Sequence, residues 1–279
     1  MAILAGRKAR MLASQILAAI LLLGACHALF GALGRLFPCN PEQPVFVSRS
    51  IGLALAYAAV GMLYAGVGPA VAALLTKPPF ADPAAGPVGR WLAATPLAAQ
   101  VAILLVATDL CQYWLHRAFH APPLWRFHAV HHSASEVNWT TTFRAHPVNE
   151  LAAGAALMVA ARLVGVSETA LLVAAPIFFL SGVVTHANLG WTFGPLRFVL
   201  ASPVFHRWHH SLGTEARERN FAPMFPVWDL VFGTFDMPRG RRPVRFGAEG
   251  VPSDMVGQLA YPLRRDASPA APRVRAPGA

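Results

Sequence analysis

Charge is what this chain has least of. Only 13% of its 279 residues are Asp, Glu, Lys or Arg, while 55% are hydrophobic; a soluble domain carries roughly 25% charged residues. That deficit points to a membrane protein. Cysteine is also scarce. Cys26, Cys39 and Cys111 have no metal or redox spacing, which excludes a cysteine-built zinc site, and two of them sit in apolar runs as small hydrophobes. There is no Gly-x-Gly-x-x-Gly fingerprint for a dinucleotide and no Glu-x-x-His pair of the kind used by soluble di-iron bundles. No internal repeat is visible.

Long uncharged runs are present instead. Residues 12–33, 51–76 and 91–108 contain no Asp, Glu, Lys or Arg, and a membrane span needs about 20 mostly apolar residues. The first run is too long for a signal peptide and lacks a small-residue cleavage site. Pro- and Gly-rich connections at 34–50 and 77–90 separate the three. The third is expected to run unbroken into Asp109, Tyr113, His116 and His120, spaced along one helical face. Pro122 and Pro123 break it, and a second helix is expected over 125–132. Two further apolar pieces, 151–161 and 169–185, are each short for a span and together predict a helical hairpin at 148–186. The expected organisation is thus an all-α integral membrane protein. Transmembrane helices occupy 1–108, a histidine-rich region follows at 109–240, and 241–279 form a basic Pro/Ala-rich tail that is disordered from 264 onward.

The net charge is +10. Arg7, Lys8 and Arg10 precede the first run, and twelve arginines lie from Arg197 to the end. Basic residues beside spans favour the cytoplasmic side and anionic headgroups. No nucleic-acid motif accompanies them, so nucleic acid is not an expected partner. Three spans before the histidines would place these opposite the N-terminus, although both regions are basic. A cytoplasmic histidine region is expected, with the early topology and the side of the N-terminus open.

Eight of the eleven histidines fall into three clusters: His116 and His120; His128, His131 and His132; His206, His209 and His210. Positions three and four apart share a helical face, so each cluster turns its imidazoles the same way. A lone histidine on an apolar face, such as His27, is ordinarily structural. Three clusters with this spacing beside a bilayer point to metal binding. Their number exceeds what one ion needs and predicts two ions side by side. Haem would use one histidine per helix and leave the repeats unexplained. A metal carrier would spread its histidines along a transmembrane path, and a structural zinc protein would consume no oxygen.

The ordered set resembles the fatty acid hydroxylase superfamily, also called the sterol desaturase family. The resemblance extends beyond His-Arg-Ala-Phe-His, His-Ala-Val-His-His and His-Arg-Trp-His-His. It includes the lead-in Asp109, Tyr113, His116 and Arg117, then Trp125 through Ser133. Arg144, His146 and Pro147 follow, then His186 and Asn188. The closing run is Asn220, Phe221, Trp228, Asp229, Phe232, Gly233 and Thr234. It covers about 109–238; the first hundred residues are similar only in being apolar.

The resemblance implies a membrane di-iron oxygenase that uses O2 and two electrons to hydroxylate or desaturate a lipid, whether sterol, fatty acyl chain, carotenoid or alkyl ether. It implies the eight clustered histidines and His186 as ligands of two irons, with zinc able to replace iron on purification. His146 is either a ligand or an outer donor, and Asp109, Tyr113, Glu150 and Asn188 are outer-shell residues. With neither a dinucleotide fingerprint nor a fused cytochrome, electrons are expected from a separate ferredoxin or cytochrome with its reductase. Arg239, Arg241 and Arg242 are candidates for steering an acidic carrier.

Overall fold

A computed structural model describes residues 2–45, 48–64, 70, 86–212 and 218–268. The protein is all-α. Among the described residues its helices are α1 (Ala2–Leu36), α2 (Ser48–Tyr64), α3 (Pro87–Ala93), α4 (Leu97–Phe119), α5 (Trp125–His132), α6 (Pro147–Val164), α7 (Glu168–His186), α8 (Pro203–His209), α9 (Val227–Val231) and α10 (Met255–Ala260). Short 3-10 turns lie at Trp139–Phe143, Gly194–Phe198 and Tyr261–Leu263. Among the described residues there is no strand beyond an isolated bridge between Ser211 and Phe246.

Three helices, α4, α6 and α7, are long and apolar enough to cross a membrane, as in a multi-pass membrane protein. The expected first run lies within the continuous helix α1, whose described apolar stretch is Leu21–Leu36. For the second, α2 covers 48–64, while 65–69 and 71–76 lie outside the described residues. So do the loop residues 77–85, the tail 269–279 and the side chains of Arg7, Lys8 and Arg10.

The run expected to be unbroken from 91 is broken. Helix α3 ends at Ala93, and α4 begins at Leu97 after Pro96, which holds φ −54° and ψ 144°. The pyrrolidine ring removes an N–H and disfavours helix in the residue before it. Thr95 Oγ1 donates to Leu92 O at 2.6 Å and closes the preceding turn.

Helix α6 starts at Pro147, where a missing N–H costs nothing, with His146 Nδ1 accepting from Val148 N at 3.2 Å. It stops at Gly165, whose φ of 75° is left-handed. Ser167 caps α7 through Ala170 N. Both α6 and α7 pack on α4, with Val101 and Leu104 meeting Ala160, Ala170 and Ala174. Small alanines let the backbones approach, which is how helices associate in lipid, where burial from water supplies no drive. Leu163, Leu172, Ile177 and Leu180 face outward.

The chain direction alternates along α4, α6 and α7. The C-terminal ends of α4 and α7 and the N-terminal end of α6 therefore meet at one end of the bundle. The end of α1 joins them, where Leu23, Cys26, Phe30 and Leu33 pack around Trp139, Val183 and Leu189. At that join Gly190 N donates to Phe37 O at 2.8 Å, and a Cβ on Gly190 would lie 3.3 Å from Pro38 O. From the other side α10 leans Met255 and Leu259 on Leu53, Tyr57 and Val130.

Candidate metal centre

Nine histidines converge at this end of the bundle and divide into two groups. His116, His120, His128, His132 and His209 form one; His131, His186, His206 and His210 form the other. Within each group the candidate ligand nitrogens all lie within 4.8 Å of one another. The division cuts across the sequence clusters. The i, i+4 pairs 116/120, 128/132 and 206/210 each stay together, while the i+3 residues His131 and His209 cross to the opposite group. Helical geometry explains this. At 3.6 residues per turn, i+4 returns to within about 40° of i, while i+3 falls about 60° to the other side. A short helix lying between the two groups thus contributes to both.

The ring nitrogens show which atoms would bind. Nε2 of His128 lies 3.0 Å from Nε2 of His116 and 3.2 Å from that of His132, which is 3.1 Å from His209 Nε2. In the second group His186 Nε2 is 3.2 Å from His131, 3.0 Å from His206 and 3.2 Å from His210.

The opposite nitrogens face acceptors. Nδ1 of His116 meets Phe221 O at 2.7 Å, and that of His209 meets Arg219 O at 2.8 Å. Nδ1 of His131 meets Arg144 O at 3.0 Å, and that of His186 meets Gly182 O at 2.7 Å. Nδ1 of His128 meets Asn149 Oδ1 at 2.7 Å. An oxygen of this kind can only accept, so the proton of each of these five imidazoles sits on Nδ1. Their Nε2 lone pairs then point at other Nε2 atoms, an arrangement that repels unless a cation lies between. Metal–nitrogen bonds of about 2.1 Å at right angles would set the nitrogens about 3.0 Å apart. The donor set therefore fits two ions. Burial, and after it the neighbouring imidazoles, push His128, His132, His206 and His210 well below the ordinary imidazole value. They stay neutral, which is the ligand form.

The surrounding shell is built largely from backbone held in place by buried side chains. Asp109, fully buried, accepts from Met224 N at 2.8 Å and Phe225 N at 2.9 Å. Asp229 accepts from Phe221 N, Ala222 N and Thr234 Oγ1, and Thr234 Oγ1 also meets Tyr113 OH at 2.8 Å. These contacts set the 220–225 loop, and with it the carbonyl that orients His116. Asp109 and Tyr113 thus act on the loop and not directly on an imidazole. Asn188 is one step further away: its amide pairs with the backbone N and O of Asn40, both at 3.0 Å. His146 stands outside both groups, caps α6 and reaches Leu259 O at 3.2 Å through Nε2. Arg207, between two ligand candidates, is fully buried. It donates to Val137 O, Asn40 Oδ1 and Gln43 Oε1 and lies over Phe246.

Asn149 is the partner that sequence reasoning missed. Its amide stands in the polar first turn of an otherwise apolar helix, next to the Glu150 chosen in its place. Glu150 instead lines a cavity of about 130 Å³ walled by His116 and His128 of one group and His131, His186 and His206 of the other. Leu115, Phe119, Ala145 and Pro223 complete much of the wall.

The fatty acid hydroxylase family profile matches residues 101–234, the stretch that folds around both histidine groups. The ornithine lipid hydroxylase OlsE of Rhizobium tropici is 32% identical over 177 residues, covering 63% of this chain and 54% of its own length. Alkylglycerol monooxygenases of Caenorhabditis elegans and Homo sapiens are 30% and 27% identical, covering 50% and 47% of this chain and 27% and 29% of their own lengths. The chain spans about half the length of the first of these relatives and under a third of the other two. No solved structure matches it. Family profile and histidine geometry fall on the same residues, and the chain belongs to the fatty acid hydroxylase/sterol desaturase superfamily.

Proposed function

We propose that this chain is a membrane-bound di-iron oxygenase that uses O2 and two electrons to oxidise a lipid, with hydroxylation as the outcome. The observation that carries this reading is the division of nine buried imidazoles into a five-nitrogen and a four-nitrogen group whose Nε2 atoms face one another. A carrier would string such residues along a path, whereas these gather at one end of the bundle. Hydroxylation is preferred to desaturation because a hydroxylase and monooxygenases are among the relatives.

His116, His120, His128, His132 and His209 would hold one iron, and His131, His186, His206 and His210 the other. When bound, the pair supplies the redox chemistry that brings dioxygen, electrons and an unactivated C–H bond together. The protein's part is orientation and exclusion of water. Carbonyls of Phe221, Arg219, Arg144 and Gly182 and the Asn149 amide fix the ring tautomers. Leu115, Phe119, Ala145 and Pro223 keep the cavity apolar where a lipid carbon would enter from between α4 and α6.

We place the metal centre on the cytoplasmic side, because arginines concentrate at its end of the chain. A cleft of about 460 Å³ lined by Arg197, Arg239, Arg241 and Arg242 also includes Val204 of α8, two residues from His206. Its charge suits an acidic ferredoxin or cytochrome as electron donor.

The test is a comparison of lipid extracts from cells making the wild-type chain, His128→Ala, His209→Ala and no chain. A lipid one oxygen atom heavier, made only with the wild type, is expected. Equal production by both variants would overturn the shared-centre reading.

A further inference from the structure

We infer that Glu150 marks a subsite for a cationic, hydrogen-bond-donating group on the lipid, so that oxidation falls beside the headgroup and not far along an alkyl chain. This rests on the oxygenase reading above and deepens it.

Among the polar residues lining the 130 Å³ cavity, Gln112 and Asn149 are engaged. Gln112 Nε2 donates to Ala153 O at 2.7 Å, which ties α4 to α6, and Asn149 Oδ1 accepts from His128. Glu150 differs. Its carboxylate has no hydrogen-bond or ion-pair partner among the described residues. Its side chain is exposed on the isolated chain and also lines the cavity, so it stands at the rim, in the first turn of the apolar helix α6.

A carboxylate near a helix N-terminus gains up to about 1 kcal/mol from the helix dipole. That explains its tolerance there, not its position at the mouth of a cavity shared by both metal groups. An ionisable side chain on a membrane helix is costly unless paired. The matching partner is an ammonium or similar donor arriving with the lipid, held by a charge-assisted hydrogen bond.

The cavity sets the reach. Glu150 and histidines of both groups line the same space of about 130 Å³. A cation held at the rim therefore leaves only a few bonds between itself and the carbon that faces the histidines. The substrate class is an amine-bearing polar lipid oxidised close to that amine.

Hexadecylamine, hexadecanol and hexadecanoic acid, which share one chain length, test this. Each is titrated into the metal-loaded protein in phosphatidylcholine nanodiscs by calorimetry, with protein-free nanodiscs as the blank. The wild type is expected to bind the amine about tenfold or more tightly than the alcohol, and the acid most weakly. Glu150→Gln, of the same shape, is expected to bind amine and alcohol alike, while Glu150→Asp keeps the charge and the preference. No amine preference in the wild type, or an undiminished one in Glu150→Gln, would overturn the subsite. Metal content is measured on the same samples. Two ions per chain with no amine preference removes the subsite alone, whereas a wild type that holds no ions removes the oxygenase reading itself.

Discussion

His131 and His132 are neighbours in the chain, yet they face different histidine groups. Nε2 of His131 lies 3.2 Å from His186, and Nε2 of His132 lies 3.1 Å from His209. Their rings are 5.7 Å apart and nearly perpendicular, at 88°. One peptide unit thus joins the two halves of the centre.

This predicts that single substitutions separate the two ions. His131→Ala removes one of four nitrogens, and His132→Ala removes one of five. Elemental analysis should find bound metal falling toward one ion per chain in His131→Ala, with the weaker loss in His132→Ala. His27, in neither group, serves as the control and should keep full metal. Equal metal in all three variants would contradict the partition.

Asn149 should matter through His128. Replacing it by Leu leaves the Nδ1–H of His128 without its 2.7 Å acceptor. Loss of such an outer partner typically costs 10- to 100-fold in metal affinity or activity, an order-of-magnitude expectation. Chelator competition measures it, and Asn149→Asp should retain the affinity. An unchanged affinity in Asn149→Leu would remove Asn149 from the centre.

The metal-free protein should weaken in mild acid. Burial lowers the folded-state pKa of His128, His131, His132, His206, His209 and His210 from the ordinary value of 6.5. As pH falls, the unfolded chain takes up protons that the folded chain refuses. The stability contribution is therefore complete above about 6.5 and is lost progressively below it. Thermal midpoints between about pH 7.5 and pH 5.5 should decline steeply; a flat profile would contradict the neutral, buried imidazoles.

Arg207 should be a stability residue. Its guanidinium, pushed down to about 10 by burial, ties Val137, Asn40 and Gln43 to α8. Arg207→Met would leave three acceptors without their donor, a loss on the order of 3 kcal/mol or more. Denaturant midpoints in detergent check this, with Arg207→Lys expected between Met and wild type.

The histidines were legible because side chains three and four residues apart must share a helix face whatever surrounds them. Their division between two groups was not, since it depends on how α4, α5, α7 and α8 are rotated against one another. The carbonyl partners at Phe221, Arg219, Arg144 and Gly182 leave no trace in residue type, because any residue supplies a C=O. Arg207 read as one more basic residue in an arginine-rich region; only packing makes it a buried clamp. The break at Pro96 was written in the chain and was hidden by the uncharged residues on either side. The outer-shell roles of Asp109, Tyr113 and Asn188 were expected from the family resemblance; their side chains meet Met224 N and Phe225 N, Thr234 Oγ1, and the backbone of Asn40.

Nine imidazoles are proposed to hold two ions. Metal per chain, counted by elemental analysis of protein purified under iron-replete conditions, tests it most directly. Two ions per chain are expected, iron or zinc that has replaced it, falling in His128→Ala and His186→Ala. One ion or none in the folded wild type would contradict it.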